Sequence, residues 1–541
     1  MNKVDLIIVG GGSAGCIIAN QIVRHTNLKV LLIEAGPFDR NPIIKIPLGY
    51  GMTFYNKKLN WNFYSENQNN LFSRKIYFPR GKVIGGSGSI NAMVYTRGLQ
   101  ADYINWENQI NDYWSLTNIM NAYDQIEKKI KINYSSKIIN KISVNDVSDS
   151  HHPILQNFFK SSERMGVLKN KNLNTNIINQ VGHYNINTKN GYRFTSSDGF
   201  LKPVLNHQNL KIITNAQVKK IIFDNNKKVS EIKIIKNKKI ISIKTNLGVI
   251  LSAGAIMTPH LLMHSGIGPA NDLKKFNIKA IIDSPNVGKN LQDHIGIDYL
   301  FKTNQDTLNK SLGRWPGRLK SVINYLYNRT GPLSLSLNQS GGYINWKSRN
   351  EFPNIQLYFN PITYSINYKN KRPLLKTDKF NGFAIGFNAC RPKSRGSIFI
   401  SSSNFEDLPK IDPNYLEHPD DIHDLKCAFD FIRKLSNQKE IREITKEQID
   451  IDILKSNDEE LIDHFKKNAT SVYHPCGTCR MGESINKGVV SNKLKVHGLK
   501  NLWVLDASVF PNITSGNING PVMMTAYIGS KLIIDDLNKN N

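Results

Sequence analysis

The apolar positions of this chain gather in short dense runs near both ends and alternate with polar ones between them. Residues 4–9 (Val-Asp-Leu-Ile-Ile-Val) and 30–33 (Val-Leu-Leu-Ile) are of strand length and almost continuously apolar, the pattern of strands covered on both faces. Between them Cys16-Ile17-Ile18-Ala19-Asn20 opens a helix. The stretches 210–214, 218–223, 229–235 and 240–243 alternate, and Asn-Asn-Lys-Lys at 225–228 reads as a turn. Together they predict a small antiparallel meander. Residues 249–254 return to a buried strand that enters a glycine turn. Residues 300–470 mix strands and helices, with strands expected at 356–359 and 396–400. Residues 502–505 form a last buried strand, Asp506 follows it, and a helix is expected over 521–536. Residues 126–150 are polar and weakly patterned, which predicts a surface excursion or mobile loop. No tandem repeat is visible.

The first strand meets the first helix at Gly10-Gly11-Gly12-Ser13-Ala14-Gly15, and Glu34 closes the second strand. This is the βαβ dinucleotide fingerprint in the context it requires. Gly10 permits the tight turn, Gly12 lets the backbone approach a pyrophosphate, and Gly15 lets helix and strand pack closely. Unpaired N–H groups at the helix start, with the positive end of its dipole, suit phosphate. Glu34 stands about twenty residues on, where a carboxylate accepts ribose hydroxyls.

At 541 residues the chain exceeds one ordinary core, so two domains or one large two-part domain are expected. No apolar run is long enough to span a bilayer. The first core strand starts at Val4, so the sequence predicts no secretory leader and a cytoplasmic protein. The formal charge of +28 comes from Lys spread through every region. No basic arm stands alone, so no nucleic-acid partner is expected, while a weak, salt-sensitive peripheral attraction to the inner face of an anionic membrane stays open. The 5 cysteines form no disulfide framework. Cys476-Gly-Thr-Cys479 has no second pair for a zinc site, and no His/Cys/Asp/Glu group has metal-ligand spacing, so no metal is expected.

Two further glycine-rich segments carry candidate chemistry. Residues 79–98 (Pro-Arg-Gly-Lys-Val-Ile-Gly-Gly-Ser-Gly-Ser-Ile-Asn-Ala-Met-Val-Tyr-Thr-Arg-Gly) form a loop leading into an expected helix. Gly85-Gly86-Ser87-Gly88-Ser89 offers backbone N–H groups to a planar or anionic cofactor. In 254–268, Thr258 is placed to cap a helix starting at Pro259, and Gly266 and Gly268 to end it.

These segments resemble the two signatures of the glucose–methanol–choline (GMC) oxidoreductases, FAD-dependent enzymes that oxidise alcohols; Gly88 departs from the usual Ser or Thr. Val287-Gly-Lys-Asn-Leu-Gln-Asp-His294, Arg391-Pro-Lys-Ser-Arg-Gly396, His474-Pro-Cys-Gly-Thr-Cys-Arg-Met-Gly482 and Gly516-Asn-Ile-Asn-Gly-Pro521 also match, in the family's order and across nearly the whole chain. The resemblance implies an α/β fold. A Rossmann-like FAD-binding domain is assembled from discontinuous segments 1–155, 205–298 and 475–541. An α+β substrate-binding domain with a mixed or antiparallel sheet comprises 156–204 and 299–474. It implies His474 as catalytic base and Asn519 against the substrate oxygen. FAD is expected on Gly10, Gly12, Ser13, Ala14, Gly15, Glu34 and Ala35. The glycine loop adds Gly81, Val83, Gly86, Ser87, Asn91, Ala92, Met93 and Val94. Val218 is expected at the adenine, and Asp506, Ala507, Asn517, Pro521 and Val522 at the pyrophosphate and flavin.

Two departures refine this. Members with covalent FAD carry a His in the glycine loop where this chain has Ile90, which implies non-covalent FAD. Choline-oxidising members resemble one another in a Glu before Gly-Gly-Phe; Gln339 stands in that place, which leans toward an uncharged primary alcohol or polyol. His294 is expected to be structural. The implied reaction is hydride transfer from a small alcohol to flavin N5, with electrons passed to a quinone or other acceptor. An O₂-reducing alcohol or choline oxidase, or a non-redox lyase, remains the alternative.

Overall fold

The computed structural model describes residues 3–110, 112–131, 134–175, 177–367 and 374–539. The N-terminal apolar run becomes the strand Lys3–Val9, inside a seven-stranded sheet. On one side it pairs in parallel with Val30–Ile33, which pairs in parallel with Leu210–Ile213. On the other it pairs in parallel with Lys239–Leu251. Val229–Lys236 and Ala216–Phe223 extend that side antiparallel, and Leu502–Val504 also pairs with Lys239–Leu251. The helix Ser13–His25 buries every side chain from Ala14 to Val23. The C-terminal helix Asn519–Lys539 packs beside it. Each buried Ile or Leu on these faces contributes about 1.5–3 kcal/mol.

The expected meander is present, with two differences. Leu210–Ile213 joins the parallel edge, because Asn215, at φ +52°, turns the chain and hands Ala216 N–H to Glu34 O. The expected strands at 240–243 and 249–254 are one 13-residue strand, exposed where it borders the meander and buried where it borders Lys3–Val9.

A second, eight-stranded sheet is mixed. Its order is Thr445–Gln448, Ile295–Thr303, Gly382–Ala389, Ile355–Asn360, Ser340–Ile344, Gln180–His183 and Leu168–Lys169, with Thr470–Ser471 also on Ile295–Thr303. Only the last pair in that order is parallel. Ile295–Thr303 begins before the expected boundary at 298. The α/β architecture with a mixed second sheet is as the sequence predicts.

Three local expectations fail for physical reasons. Residues 126–150 are not an excursion: Glu127–Lys131 and Ile142–Asp146 form a parallel pair with Ile142 and Val144 buried. Residues 90–95 are not helical. Asn91 Oδ1 accepts the Met93 N–H, a side-chain turn that competes with the helix, and Tyr95 N–H donates to Asn185 O. The helix expected to start at Pro259 runs Gly254–His264, with Pro259 inside it. Proline leaves the Ala255 carbonyl without its helical partner, and the Thr478 hydroxyl donates to it at 2.6 Å. All five cysteines are free and buried.

Candidate active site

Residues of both sheets line a large cavity of about 2530 Å³, its open mouth included. Gly10, Gly12, Ser13, Ala14, Glu34, Ala35, Val218, Asp506 and Ala507 are among its walls. Gly81, Gly86, Ser87, Asn91, Ala92, Met93 and Val94 line it from the glycine loop, and His474, Asn517, Asn519 and Val522 also reach it. Gly15, Val83, Pro521 and Gln339 are not among its walls.

Gly15 acts one step back. A Cβ there would sit 1.9 Å from Gly10 O, so only glycine lets the helix start against the strand end. Gly86, at φ +56°, brings the glycine loop onto that turn: its Cβ would lie 2.7 Å from Gly12 Cα. The helix Ser13–His25 carries no side-chain cap, so its first N–H groups are open to an anion. Glu34 is clamped by Gly11 N–H on Oε2 and Gly36 N–H on Oε1, both 2.8 Å. Burial pushes its carboxyl up, and these donors with Lys82 pull it back. Asp506 accepts from Gly254 N–H (2.8 Å), Thr258 Oγ (2.6 Å) and Ser508 N–H (2.8 Å). Thr258, expected as a cap, is thus a donor to a carboxylate that caps the helix from elsewhere.

His474 stands at the end of a hydrogen-bond chain. The ring Nε2 of His294 lies 2.9 Å from the Cys390 carbonyl, which only accepts, so His294 Nε2 carries a proton. Neutral His294 therefore presents a lone pair on Nδ1, 2.9 Å from His474 Nδ1. His474 Nδ1–H donates to it, and His474 Nε2 keeps its lone pair. Asn517 Nδ2 donates to that nitrogen at 3.1 Å, while Asn517 Oδ1 accepts from Gln356 Nε2 at 3.4 Å. Burial, then His294 and Arg80, holds the His474 ring well below the ordinary imidazole range; burial lowers His294 to about 4. Both rings are neutral at pH 7.

The backbone beneath is tightly held. Asp293 accepts from His474 N–H (2.6 Å), Ser471 Oγ (2.5 Å) and Tyr415 OH (2.5 Å), and burial raises its carboxyl to about 6. Tyr473, at φ +68°, occupies a conformation unusual for an aromatic residue. Arg80 Nη2 donates to its carbonyl at 2.6 Å, and Ser471 Oγ accepts its N–H at 2.7 Å.

Three placements correct the expectations. Asn519, expected against the substrate oxygen, lines the cavity with its Oδ1 accepting from Ser13 Oγ at 2.7 Å, and it is Asn517 whose amide meets His474. Gln339, expected at the substrate, is buried behind the wall, its Oε1 accepting the His152 N–H at 2.8 Å. His294, expected to be structural, touches His474 directly.

Sequence reasoning also missed Asp298 and Arg193. Asp298 lines the cavity among Tyr50, Tyr358, Tyr364, Phe387 and Tyr473. Gly386 faces it across the ladder, where a Cβ would lie 2.0 Å from Asp298 Oδ1. Tyr364 OH donates to it at 3.1 Å, burial raises its carboxyl, and among the described residues no cation pairs with it. Arg193, fully buried, braces the glycine loop through Gly88 O (3.2 Å) and Asn91 Oδ1 (2.8 Å). Neither carries a local motif; strand alternation around 295–303 was the available signal for Asp298.

Family models described as GMC oxidoreductase match residues 4–296 and 392–526. The chain belongs to the GMC oxidoreductase family. This GMC oxidoreductase is 36% identical to the "Alcohol dehydrogenase [acceptor]" of Pseudomonas putida, over 98% of this chain and 95% of that protein. It is 30% identical to the "Oxygen-dependent choline dehydrogenase" of Brucella anthropi, over 98% and 96%. Among solved structures, pyridoxine 4-oxidase from Mesorbium loti superposes with TM-score 0.84 at 26% identity, over 98% of both chains. The protein is thus an FAD-dependent oxidoreductase that acts on alcohols. The uncapped helix start, the contact of Gly12 with Gly86 and the Glu34 carboxylate fit that cofactor. Among the described residues no helix is long and apolar enough to cross a membrane.

Proposed function

We propose that this GMC oxidoreductase removes a proton from an alcohol through His474 Nε2 while the alcohol carbon gives up hydride, and that the electrons pass on to a quinone or other acceptor. FAD bound in the cavity supplies the hydride acceptor. Ser13 and Ala14 N–H groups would hold its pyrophosphate, Glu34 its ribose, Val218 its adenine side, and the start of Asn519–Lys539 its flavin end.

The observation that carries the reading is the chain Cys390 O, His294, His474, Asn517. It leaves one unprotonated imidazole nitrogen beside one amide donor on the cavity wall. A neutral, desolvated imidazole is a competent base near pH 7; an entering alcohol O–H would take the His474 Nε2 lone pair that the Asn517 amide now meets, and that amide would turn to the alcohol oxygen and orient it. Oriented hydrogen bonds at a reacting oxygen need no rearrangement during the reaction. Transfer to a non-oxygen acceptor is favoured by the likeness to the "Alcohol dehydrogenase [acceptor]". Association with a membrane surface, where a lipid-soluble acceptor resides, belongs to the same reading.

The substrate end has aromatic walls and one carboxylate, Asp298. With Gln339 behind the wall, the case for an uncharged alcohol loses its basis. Asp298 favours an alcohol whose far end bears a hydrogen-bond donor or a positive charge.

Anaerobic stopped-flow reduction by one good alcohol tests the base. His474→Ala should bind FAD and reduce it about 10²–10⁴-fold more slowly, the contribution of a positioned base. Asn517→Ala should lose less. Reduction at the parent rate in His474→Ala overturns the assignment. Re-oxidation by a quinone analogue faster than by O₂ is expected; the reverse order makes the enzyme an oxidase.

A further inference from the structure

The helix Trp315–Asn328 is built inside out. Of its 14 residues only Ser321 and Tyr325 are buried. Trp315 is 73% exposed, Leu319 46%, Val322 43%, Ile323 47%, Leu326 56% and Tyr327 84%. At about 100° per residue these six fall within an arc of roughly 140°. Lys320 follows one margin of that arc and Arg318 lies off the other. Scattered exposed apolar residues are ordinary; a contiguous stripe marks a surface made for contact.

Charge decides what the contact is. Residues 308–329 contain Lys310, Arg314, Arg318, Lys320 and Arg329, and no Asp or Glu. Among the described residues Arg314, Arg318, Lys320 and Arg329 have no carboxylate partner; the three arginines donate to backbone carbonyls instead. A second copy seated on this face would bring like charges together. An apolar stripe with basic margins, an indole at one end and a phenol at the other, is the composition of helices that lie in a lipid headgroup layer.

We propose that the helix Trp315–Asn328 docks the protein onto an anionic lipid surface, its stripe among the acyl chains and its cations on the headgroup phosphates. The helix packs on Leu308–Leu312. Leu308 and Leu312 cluster with Ile362, Leu333 and Leu337, and Leu337 also lines the active-site cavity. The docked face and the reaction chamber therefore share one thin apolar wall. The proposal gives the membrane association above a specific element, and its test needs no turnover, so it stands or falls apart from the reaction.

The test is flotation of the FAD-loaded enzyme with vesicles of phosphatidylcholine alone, or with one third phosphatidylglycerol. The parent should float with the anionic vesicles at low salt and much less in 0.5 M NaCl, roughly an ionic-strength effect on headgroup attraction. Leu319→Ser with Leu326→Ser should weaken binding about tenfold or more, since each removes a buried side chain's worth of apolar contact. Arg318→Glu with Lys320→Glu should weaken it on anionic vesicles specifically. Ile240→Ser, an exposed apolar residue on a distant strand, should change nothing, and retained yellow colour checks folding of each variant. Equal flotation of the parent and the Leu319/Leu326 variant overturns the proposal. So does a concentration-dependent dimer that those substitutions abolish in the absence of any vesicle binding, which would give the face to a second copy.

Discussion

Nδ1 of His294 lies 2.9 Å from Nδ1 of His474, so two like atoms share one proton and fix which nitrogen of His474 faces the cavity. His294→Phe keeps the ring and removes both its acceptor and its donor to Cys390 O. Flavin binding should survive, and reduction by alcohol should slow by about 10–10³-fold, the effect of losing the partner that orients a catalytic imidazole. The lone pair that neutral His294 offers to His474 Nδ1–H favours the His474 imidazolium, so its loss should move the acid limb of the pH–rate profile to lower pH. A variant with parent rate and parent profile would reduce the pair to packing.

The two backbone donors on Glu34 hold its carboxylate in place beside the cavity. Glu34→Gln keeps the shape and removes the charge. FAD retention on dilution should weaken by a factor corresponding to about 1.5–3 kcal/mol, the span for hydrogen bonds to a charged group. Heat or acid should release the flavin intact, because Ile90 on the cavity wall offers no nucleophile. Colour that stays with the precipitated chain contradicts this.

Asp298→Asn tests the substrate end. Alcohols with an amino or ammonium group should lose kcat/KM by about tenfold or more, the scale of a lost charge-assisted hydrogen bond. Simple alkanols should change little. Equal losses for both classes would separate Asp298 from recognition.

Acid should destabilise the protein from pH 6.5 downward. Burial holds His151 and His260 to about 3 and His264 and His294 to about 4, against 6.5 unfolded. Between those values the unfolded chain binds protons that the folded one refuses, so stability falls as pH falls, by up to about 1.4 kcal/mol per pH unit for each such group. The buried carboxyls of Glu34, Asp102, Asp293, Asp298 and Asp506, all raised, act oppositely and blunt the slope toward its acid end, Asp293 at about 6 first. Unfolding temperatures at pH 7, 6 and 5 give the slope; a flat profile refutes it.

The cofactor half was readable because its signals are consecutive: strand, glycines, helix and acid occupy one stretch, and their spacing is the geometry. The substrate half was less so. Asn517 stands just before the C-terminal helix and Asn519 opens it, and nothing in the order of residues says which turns toward His474. Gln339 precedes the strand Ser340–Ile344, and its direction is set by His152 from another segment. Asp298 has room only because Gly386, far along the chain, lacks a side chain. The pair Glu127–Lys131 and Ile142–Asp146 escaped notice because Ser143 and Asn145 are buried by hydrogen bonds to Thr188, which no hydrophobic pattern records.

The strand Leu502–Val504 pairs with Lys239–Leu251, and the helix Asn519–Lys539 packs on Ser13–His25. The glycine turn at residues 10–15 therefore waits for residues 502–539. A ribosome that has translated the first half has produced a binding motif without its far wall. Such sequence-distant closure slows assembly and leaves apolar edges open meanwhile. Cofactor capture consequently follows synthesis of residues 502–539, and chains that stop short of about residue 500 should be colourless and prone to aggregate.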